Sequence, residues 1–362
     1  MNPDVVVIGA GIVGAACAAA LVRENLRVTV VDDRPPGSGA TAAGMGHITV
    51  MDDSPAQFAL TNYSVKLWLD LASQLPRGAE FERRGTVWVA AGGDEMSSLC
   101  DKLAFYRGHG VRAELLDSHG LAEAEPNLRD GLAGGLLAPD DSVVYAPFIA
   151  GWLLRGTDLR RGRAVGVNGS SVKLDDGSEL SAGAVVVAGG ASASDIAGPL
   201  PIRPRKGHLA ITDRYPGFVH HQLLELGYLK SAHGQDNESV AFNVQPRATG
   251  QVLIGSSRQY DITSLAVDSR FLARMLARAI EFMPALRSLN VIRTWTGLRA
   301  ATPDSLPLIG PCPKRPGVWL ATGHEGLGIT TSLATAELIA GGILCRTPPI
   351  PAEPYLPERY AA

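Results

Sequence analysis

The chain is poor in the residues that build metal centres, cross-linked scaffolds and membrane spans. Its 362 residues include only four cysteines, Cys17, Cys100, Cys312 and Cys345, and no two form a CxxC pair. That spacing argues against a zinc site and a disulfide framework, and favours reduced thiols in a cytoplasmic protein. No metal is expected. Basic residues (33) and acidic residues (36) are mixed without a long Lys/Arg block, for a net charge of −3. Nucleic acid and anionic membranes are therefore not expected partners. Met1-Asn2-Pro3-Asp4 lacks the basic region of a secretion signal, and the first apolar stretch ends at Arg23-Glu24, too early for a span. What is abundant is glycine, with 41 residues against a usual share of ~7%. These glycines follow no collagen-like period and form no linker tract, so they belong at particular backbone sites.

The first such site is near the start. Val5-Val6-Val7-Ile8 reads as a buried parallel strand, followed by Gly9-Ala10-Gly11-Ile12-Val13-Gly14 and an alanine-rich helix from Ala15 to about Asn25. A second strand, Arg27 to Val31, ends in Asp32, with Asp33 beside it. The order strand, glycine turn, helix, strand, acid is that of a dinucleotide-binding unit. Gly9 makes the tight turn, Gly11 admits a pyrophosphate to the backbone and Gly14 lets helix approach strand. The helix N-terminus offers N–H groups to phosphates, and Asp32 is placed for ribose hydroxyls; Asp33 is its solvated neighbour. Asp32 disfavours a 2′-phosphate, and thus NADP.

The segment after Asp32 separates NAD from FAD. Ser38, Thr41 and Ala42-Ala43-Gly44-Met45-Gly46-His47 form a loop of small residues that resembles the D-amino-acid oxidase and glycine oxidase family of flavoenzymes. In that family such a loop carries hydroxyls near the pyrophosphate and then passes the flavin ring. Three further stretches match in order: Arg163 to Val167, with Val165 at the adenine; Ala184 to Gly190, with Ala188 and Gly189 returning under the cofactor; and Thr322-Gly323-His324-Glu325-Gly326-Leu327-Gly328-Ile329-Thr330, the C-terminal flavin signature. The resemblance implies FAD, bound non-covalently. Related sarcosine oxidases attach flavin to a cysteine at a position that the register of Thr302-Pro303-Asp304 makes Gly297 here, and Cys312 lies too late. The last motif also has a reading of its own. A glycine-rich turn leads through Thr330-Thr331-Ser332 into a helix from Leu333 to Ile343, whose N-terminus favours negative charge on a reduced ring.

The resemblance further implies oxidation of an amino acid at its Cα–N bond by hydride transfer to the flavin. Such chemistry depends on positioning rather than on a strong base. Arg299, in Gly297-Leu298-Arg299, stands where the family places a carboxylate clamp, a task for which a guanidinium is better shaped than an ammonium. Glycine oxidases have a second arginine where this chain has Gly326, which opens the question of substrate. Finer wording, in Thr41 to Ile48, Arg203 to Leu209 and Gln245-Pro246-Arg247, is similar to the D-hydroxyproline dehydrogenase branch of the family. That branch implies cis-4-hydroxy-D-proline or D-proline as substrate and a cyclic imine as product. His47 and His208 are candidates beside flavin or substrate. Asn243 and Gln245, on alternate strand positions, are candidates for a substrate hydroxyl, together with Gly326 at the site's mouth. His220-His221 is set aside as a metal site for want of an acidic or cysteine neighbour.

The expected fold is α/β: a Rossmann-like FAD-binding domain (1–78, 142–204, 296–362) interleaved with an α+β substrate domain (79–141, 205–295) built on an antiparallel sheet with helices on one face. Strands are expected over Glu80–Ala90, interrupted by Gly85, and around Val240–Gln245 and Gln251–Gly255, and helices over Asp94–Gly110, Ser118–Glu125 and Ser269–Met283. Trp295 and Tyr228 read as core residues, and the aromatic tail Tyr355 to Tyr360 is expected to dock. Oxygen or a quinone- or dye-like acceptor would reoxidise the flavin. Three alternatives stay open: a glycine- or N-alkylglycine-type amine oxidase, a flavin subunit of a hetero-oligomer (against a homo-oligomer), and an NAD-dependent dehydrogenase.

Overall fold

A computed structural model describes residues 2–227 and 238–360. The chain divides into two compact units. The first comprises Met1–Ala79, Val144–Arg205 and Leu298–Ala362, and the second Glu80–Val143 and Lys206–Gly297.

The first unit is built on a six-stranded sheet in the order Leu308–Pro311, Val318–Thr322, Ala184–Val187, Val5–Ile8, Val28–Asp32, Asp158–Arg161. All neighbours are parallel except the Leu308–Pro311 edge. Val5–Ile8 and Ala184–Val187 are buried along their whole length, which explains why they read as unbroken apolar runs rather than alternating ones. On one face Val6, Ile8, Val185 and Val187 meet Val167, Val172 and Leu174 of a small sheet formed by Ala164–Asn168, Ser171–Leu174 and Glu179–Ser181. The Asp175-Asp176-Gly177 turn joins two of its strands in antiparallel register. Cys312 is part of the same core. The helix Ile12–Arg23 packs on the C-terminal helix Gly328–Ile343, and the helix Pro55–Leu71 backs the latter. The tail docks: the Tyr355 ring is fully buried and its hydroxyl donates to the Ala56 carbonyl at 2.6 Å.

The second unit holds an eight-stranded sheet: Val291–Ala301, Arg203–Arg214, Gln251–Tyr260, Glu238–Pro246, Gln222–Glu225, Thr86–Ala90, Gly134–Ala138, Glu114–Asp117. The first two strands in this order extend past the boundary of the unit. Gln222–Glu225 lies parallel to Thr86–Ala90, so the sheet is mixed, whereas Glu238–Pro246 runs antiparallel to both its neighbours and Gly134–Ala138 to both of its own. On one face the helix Ser269–Phe282, capped by the Asp268 carboxylate, sets Met275, Ala279 and Phe282 against Phe242, Val244, Val252 and Ile254. The Phe242 and Phe282 rings stack at 4.7 Å. Helices are not confined to that face. Trp88, which alternation turns away from Val87 and Val89, lies under Lys102 of the helix Gly93–Gly108, with Nζ 4.5 Å from its ring. The buried stem of an amphipathic lysine closes this second layer.

Candidate active site

The glycine turn is built by close approach. Gly9 has a φ of +111°, and a Cβ there would lie 2.5 Å from the Ala188 carbonyl oxygen. A Cβ on Gly14 would lie 1.9 Å from the carbonyl oxygen of Gly9. Helix and turn are thus in contact at Gly9, the residue that follows the strand Val5–Ile8. Asp32 clasps the turn, its Oδ2 accepting from the Ala10 N–H at 2.7 Å and its Oδ1 from the Arg34 N–H at 2.9 Å. Each carboxylate oxygen keeps a lone pair for a ribose hydroxyl. The helix starts at Ile12, with Gly11 at its cap and no side-chain cap from that residue.

Segments distant in sequence converge on this turn. Thr41 Oγ1 accepts from the Ile12 N–H at 3.0 Å, which puts the loop hydroxyl at the helix N-terminus. A Cβ on Gly44 would touch Ile329 Cδ1 at 2.9 Å, and one on Gly328 would lie 3.7 Å from Val13 Cγ2. Thr330 Oγ1 donates to the His47 carbonyl at 3.0 Å. The Thr330 carbonyl accepts from Trp68 Nε1 at 3.0 Å and from Ser64 Oγ. Ser64 and Trp68 are supports that the sequence pattern shows only as core positions of a helix. Residues 9–14, 41–48, 188–189 and 323–330 are thereby one place. Met45 is buried beside them, and Ala42, Ala43 and Leu327 follow from the chain. Ser38 and Asp33 lie at the surface, Ser38 donating to the Pro35 carbonyl at 2.6 Å and Asp33 paired with Arg34 at 3.6 Å. Val165 sits in the three-stranded sheet, 41% exposed.

The C-terminal helix begins at Gly328 rather than Leu333. Thr331 Oγ1 turns back to the Leu327 carbonyl and Ser332 Oγ to that of Ile329, both at 2.9 Å. Hydroxyl residues that read as a cap are helical here because their side chains are satisfied within the helix. The cap residue Leu327 offers no side-chain acceptor, so the first-turn N–H groups are available to an anion. These features suit a dinucleotide: a helix start at the glycine turn that its own cap residue leaves uncapped, a ribose-height acid, and a second helix N-terminus on the same place.

His324 is buried, its Nε2 bonded to Thr335 Oγ1 at 2.9 Å, and burial lowers its pKa to about 3. It is neutral at working pH and belongs to the frame of the loop at 323–328 rather than to proton transfer. In the unfolded chain its pKa is ~6.5, so the unfolded state binds the proton first and stability falls as pH drops below that value. At pH 5 the loss from this residue is about 2 kcal/mol. Thermal unfolding of His324→Gln should therefore show a smaller drop between pH 7 and pH 5 than the parent; an equal drop would contradict the assignment.

Arg299 lies on the strand Val291–Ala301, next to the cofactor loop: a Cβ on Gly326 would be 3.6 Å from its Nε. The Glu325 N–H donates to the Ala300 carbonyl at 2.9 Å, which fixes loop against strand. Glu325 pairs with Arg205, whose side chain is 4% exposed. This pair links positions 120 residues apart and had no signature in the sequence.

The candidates of the second unit are placed differently. His208 is fully buried; its Nδ1 bonds Ser257 Oγ at 2.9 Å and its Nε2 accepts from the Asp268 N–H at 3.0 Å. It stacks on Phe271 at 5.8 Å. Both ring nitrogens are engaged, so the catalytic expectation for His208 is replaced by a structural one: it ties a strand to the cap of Ser269–Phe282. Asn243 and Gln245 share the sheet face opposite Phe242 and Val244. Neither faces solvent, and Gln245 is fully enclosed, with no open surface for a substrate. Asn243, 4% exposed, has a buried Oδ1 without a hydrogen-bond partner among the described residues. His221 does have an acidic neighbour after all: Glu125, fully buried, accepts from His221 Nδ1 at 2.8 Å and from the N–H groups of His220 and His221. Among the described residues no group of three or more His, Cys, Asp or Glu is arranged to hold a metal. Trp295 is half-buried under Arg293, and Tyr228 lies outside the described residues. Among the described residues no helix is long and apolar enough to cross a membrane.

The chain is similar to known proteins over nearly its whole length. The model of the family described as FAD dependent oxidoreductase matches residues 4–341. The hydrogen cyanide synthase subunit HcnC of Pseudomonas aeruginosa is 27% identical, over 99% of this chain and 96% of its own. The D-amino acid dehydrogenase of Cereibacter sphaeroides is 26% identical, over 99% and 95%. The crystal structure of glycine oxidase from Geobacillus kaustophilus superposes with a TM-score of 0.89, at 25% identity and 99% coverage of both chains.

Proposed function

The chain belongs to the FAD-dependent oxidoreductase family, and from that premise we propose that it oxidises the Cα–N bond of a D-imino or D-amino acid, cis-4-hydroxy-D-proline or D-proline before others. The cofactor would be held by Gly9, Gly11 to Gly14, Asp32, Thr41 to Met45, Ala188-Gly189, Gly323-His324 and Gly326 to Thr330. FAD supplies a two-electron acceptor at its ring. The chain's own residues bind and orient. Arg299 takes the substrate carboxylate and so fixes which Cα hydrogen faces the ring. The N-terminus of Gly328–Ile343 favours negative charge at the cofactor, and His47 lines the same place through its backbone tie to Thr330. The substrate loses a hydride from Cα and a proton from nitrogen, leaving a C=N bond in 1-pyrroline-4-hydroxy-2-carboxylate.

The observation that carries this reading is the position of Arg299 beside Gly326 on the cofactor loop. The absence of a side chain at Gly326, where glycine oxidases carry an arginine, supports a substrate larger than glycine. Anaerobic mixing of the yellow protein with D- and L-amino acids tests it. Bleaching near 450 nm, about where oxidised flavin absorbs, is expected with cis-4-hydroxy-D-proline. Bleaching by glycine or sarcosine alone would reject the substrate proposal.

A second reading is a flavin subunit of a hetero-oligomer, favoured by the likeness to HcnC, which is itself named a subunit. Copurifying chains needed for turnover would support it. Full turnover by the purified chain with oxygen or a quinone would count against it.

A further inference from the structure

The cofactor loop places an acid one residue from the proposed clamp. Glu325 is held to the neighbour of Arg299 by its N–H bond to Ala300, and the next residue, Gly326, adjoins the Arg299 guanidinium. A carboxylate released so near the Arg299–Ala300 backbone would compete with that of a substrate. It is drawn elsewhere. Glu325 sits at a φ of +49°, a conformation that a side-chain-bearing residue adopts only under constraint, and its carboxylate pairs with Arg205. Arg205 is almost fully buried and Glu325 only 18% exposed, so the pair is largely shielded from water and holds the Glu325 carboxylate more firmly than a surface pair would. We propose that Arg205 is a positioning residue that holds Glu325 away from Arg299 and so keeps it from competing with the substrate carboxylate. This rests on the reading of Arg299 as the clamp.

The test is a cycle of variants in the FAD-loaded protein, using the amino acid that bleaches the flavin. Binding of pyrrole-2-carboxylate, followed by the flavin spectrum, provides a measure independent of turnover. Arg205→Met frees Glu325 and is expected to raise KM and the Kd of pyrrole-2-carboxylate roughly tenfold or more, with kcat little changed. Adding Glu325→Gln should bring both constants back to within about threefold of the parent. Arg205→Lys keeps the charge and should lie near the parent. A double variant as weak as Arg205→Met alone overturns the proposal, because a merely structural pair gains nothing from losing its second half. If Arg205→Met does not fold, Glu325→Gln alone decides: unchanged or tighter carboxylate binding supports the proposal, and binding weakened roughly tenfold overturns it. Arg299→Lys separates the two levels. Unchanged binding there removes the clamp itself, whereas weakened binding there without restoration in the double variant leaves the clamp and removes its guard.

Discussion

Arg299→Met is expected to lower kcat/KM by about two to three orders of magnitude while the protein stays yellow and folded. A guanidinium meets a carboxylate through two charge-assisted hydrogen bonds. Methionine fills similar volume but leaves the substrate's carboxylate desolvated and unpaired, a loss of about 3–5 kcal/mol, and each ~1.4 kcal/mol is tenfold. Most of the change should appear in KM, with a smaller fall in kcat from looser alignment of Cα. Arg299→Lys should fall between, because an ammonium keeps the charge but not the fork. Steady-state kinetics with the bleaching substrate measures this, and the flavin spectrum confirms that the cofactor site is intact. A variant with unchanged KM would show that another group binds the carboxylate.

Gly14→Val should have the second large effect, on the cofactor site and not on the substrate. Its Cβ would have to occupy space 1.9 Å from the Gly9 carbonyl oxygen and 3.2 Å from the Ala188 Cβ, and a Cβ has no rotamer by which to escape. Either the helix Ile12–Arg23 lifts from the strand or the turn opens. Both displace the N–H groups that would meet the phosphates and disturb the buried strand Val5–Ile8. The cost exceeds about 3 kcal/mol, and the expected product is colourless, poorly soluble protein. Absorbance near 450 nm per mole of chain reads the outcome directly, and near-normal flavin content would sink the prediction.

How far the sequence could be read follows from the range over which each feature is determined. The turn at Gly9 to Gly14 was legible because its chemistry is local: strand, glycines and helix lie within a few residues, and the required close contacts are backbone against backbone. Asp32 was legible as the acid closing the second strand, though not that it would also clasp Ala10. The start of the C-terminal helix was misplaced because Thr331 and Ser332 resemble cap residues until their hydroxyls are seen to bond within the helix. In the second unit the alternation of Asn243 and Gln245 was correct, but alternation does not say what covers a face, and Gln245 proved enclosed. His208 failed for the same reason: its partners, Ser257 and Asp268, come from elements about fifty to sixty residues away. The pairs Arg205–Glu325 and Glu125–His221 join residues 120 and 96 apart, and one sequence carries no trace of such pairings.

The three-part origin of the first unit has a consequence for synthesis. The strand Val5–Ile8 leaves the ribosome early and finds Val28–Asp32 at once, but its other neighbour, Ala184–Val187, is still to be made. The helix Gly328–Ile343, against which Ile12–Arg23 packs, comes later still. At ~5–20 residues per second, the nascent chain carries an unfinished apolar sheet for roughly fifteen seconds to a minute. A premature stop before Gly328 would yield no nucleotide-loaded fragment, only a substrate for proteolysis.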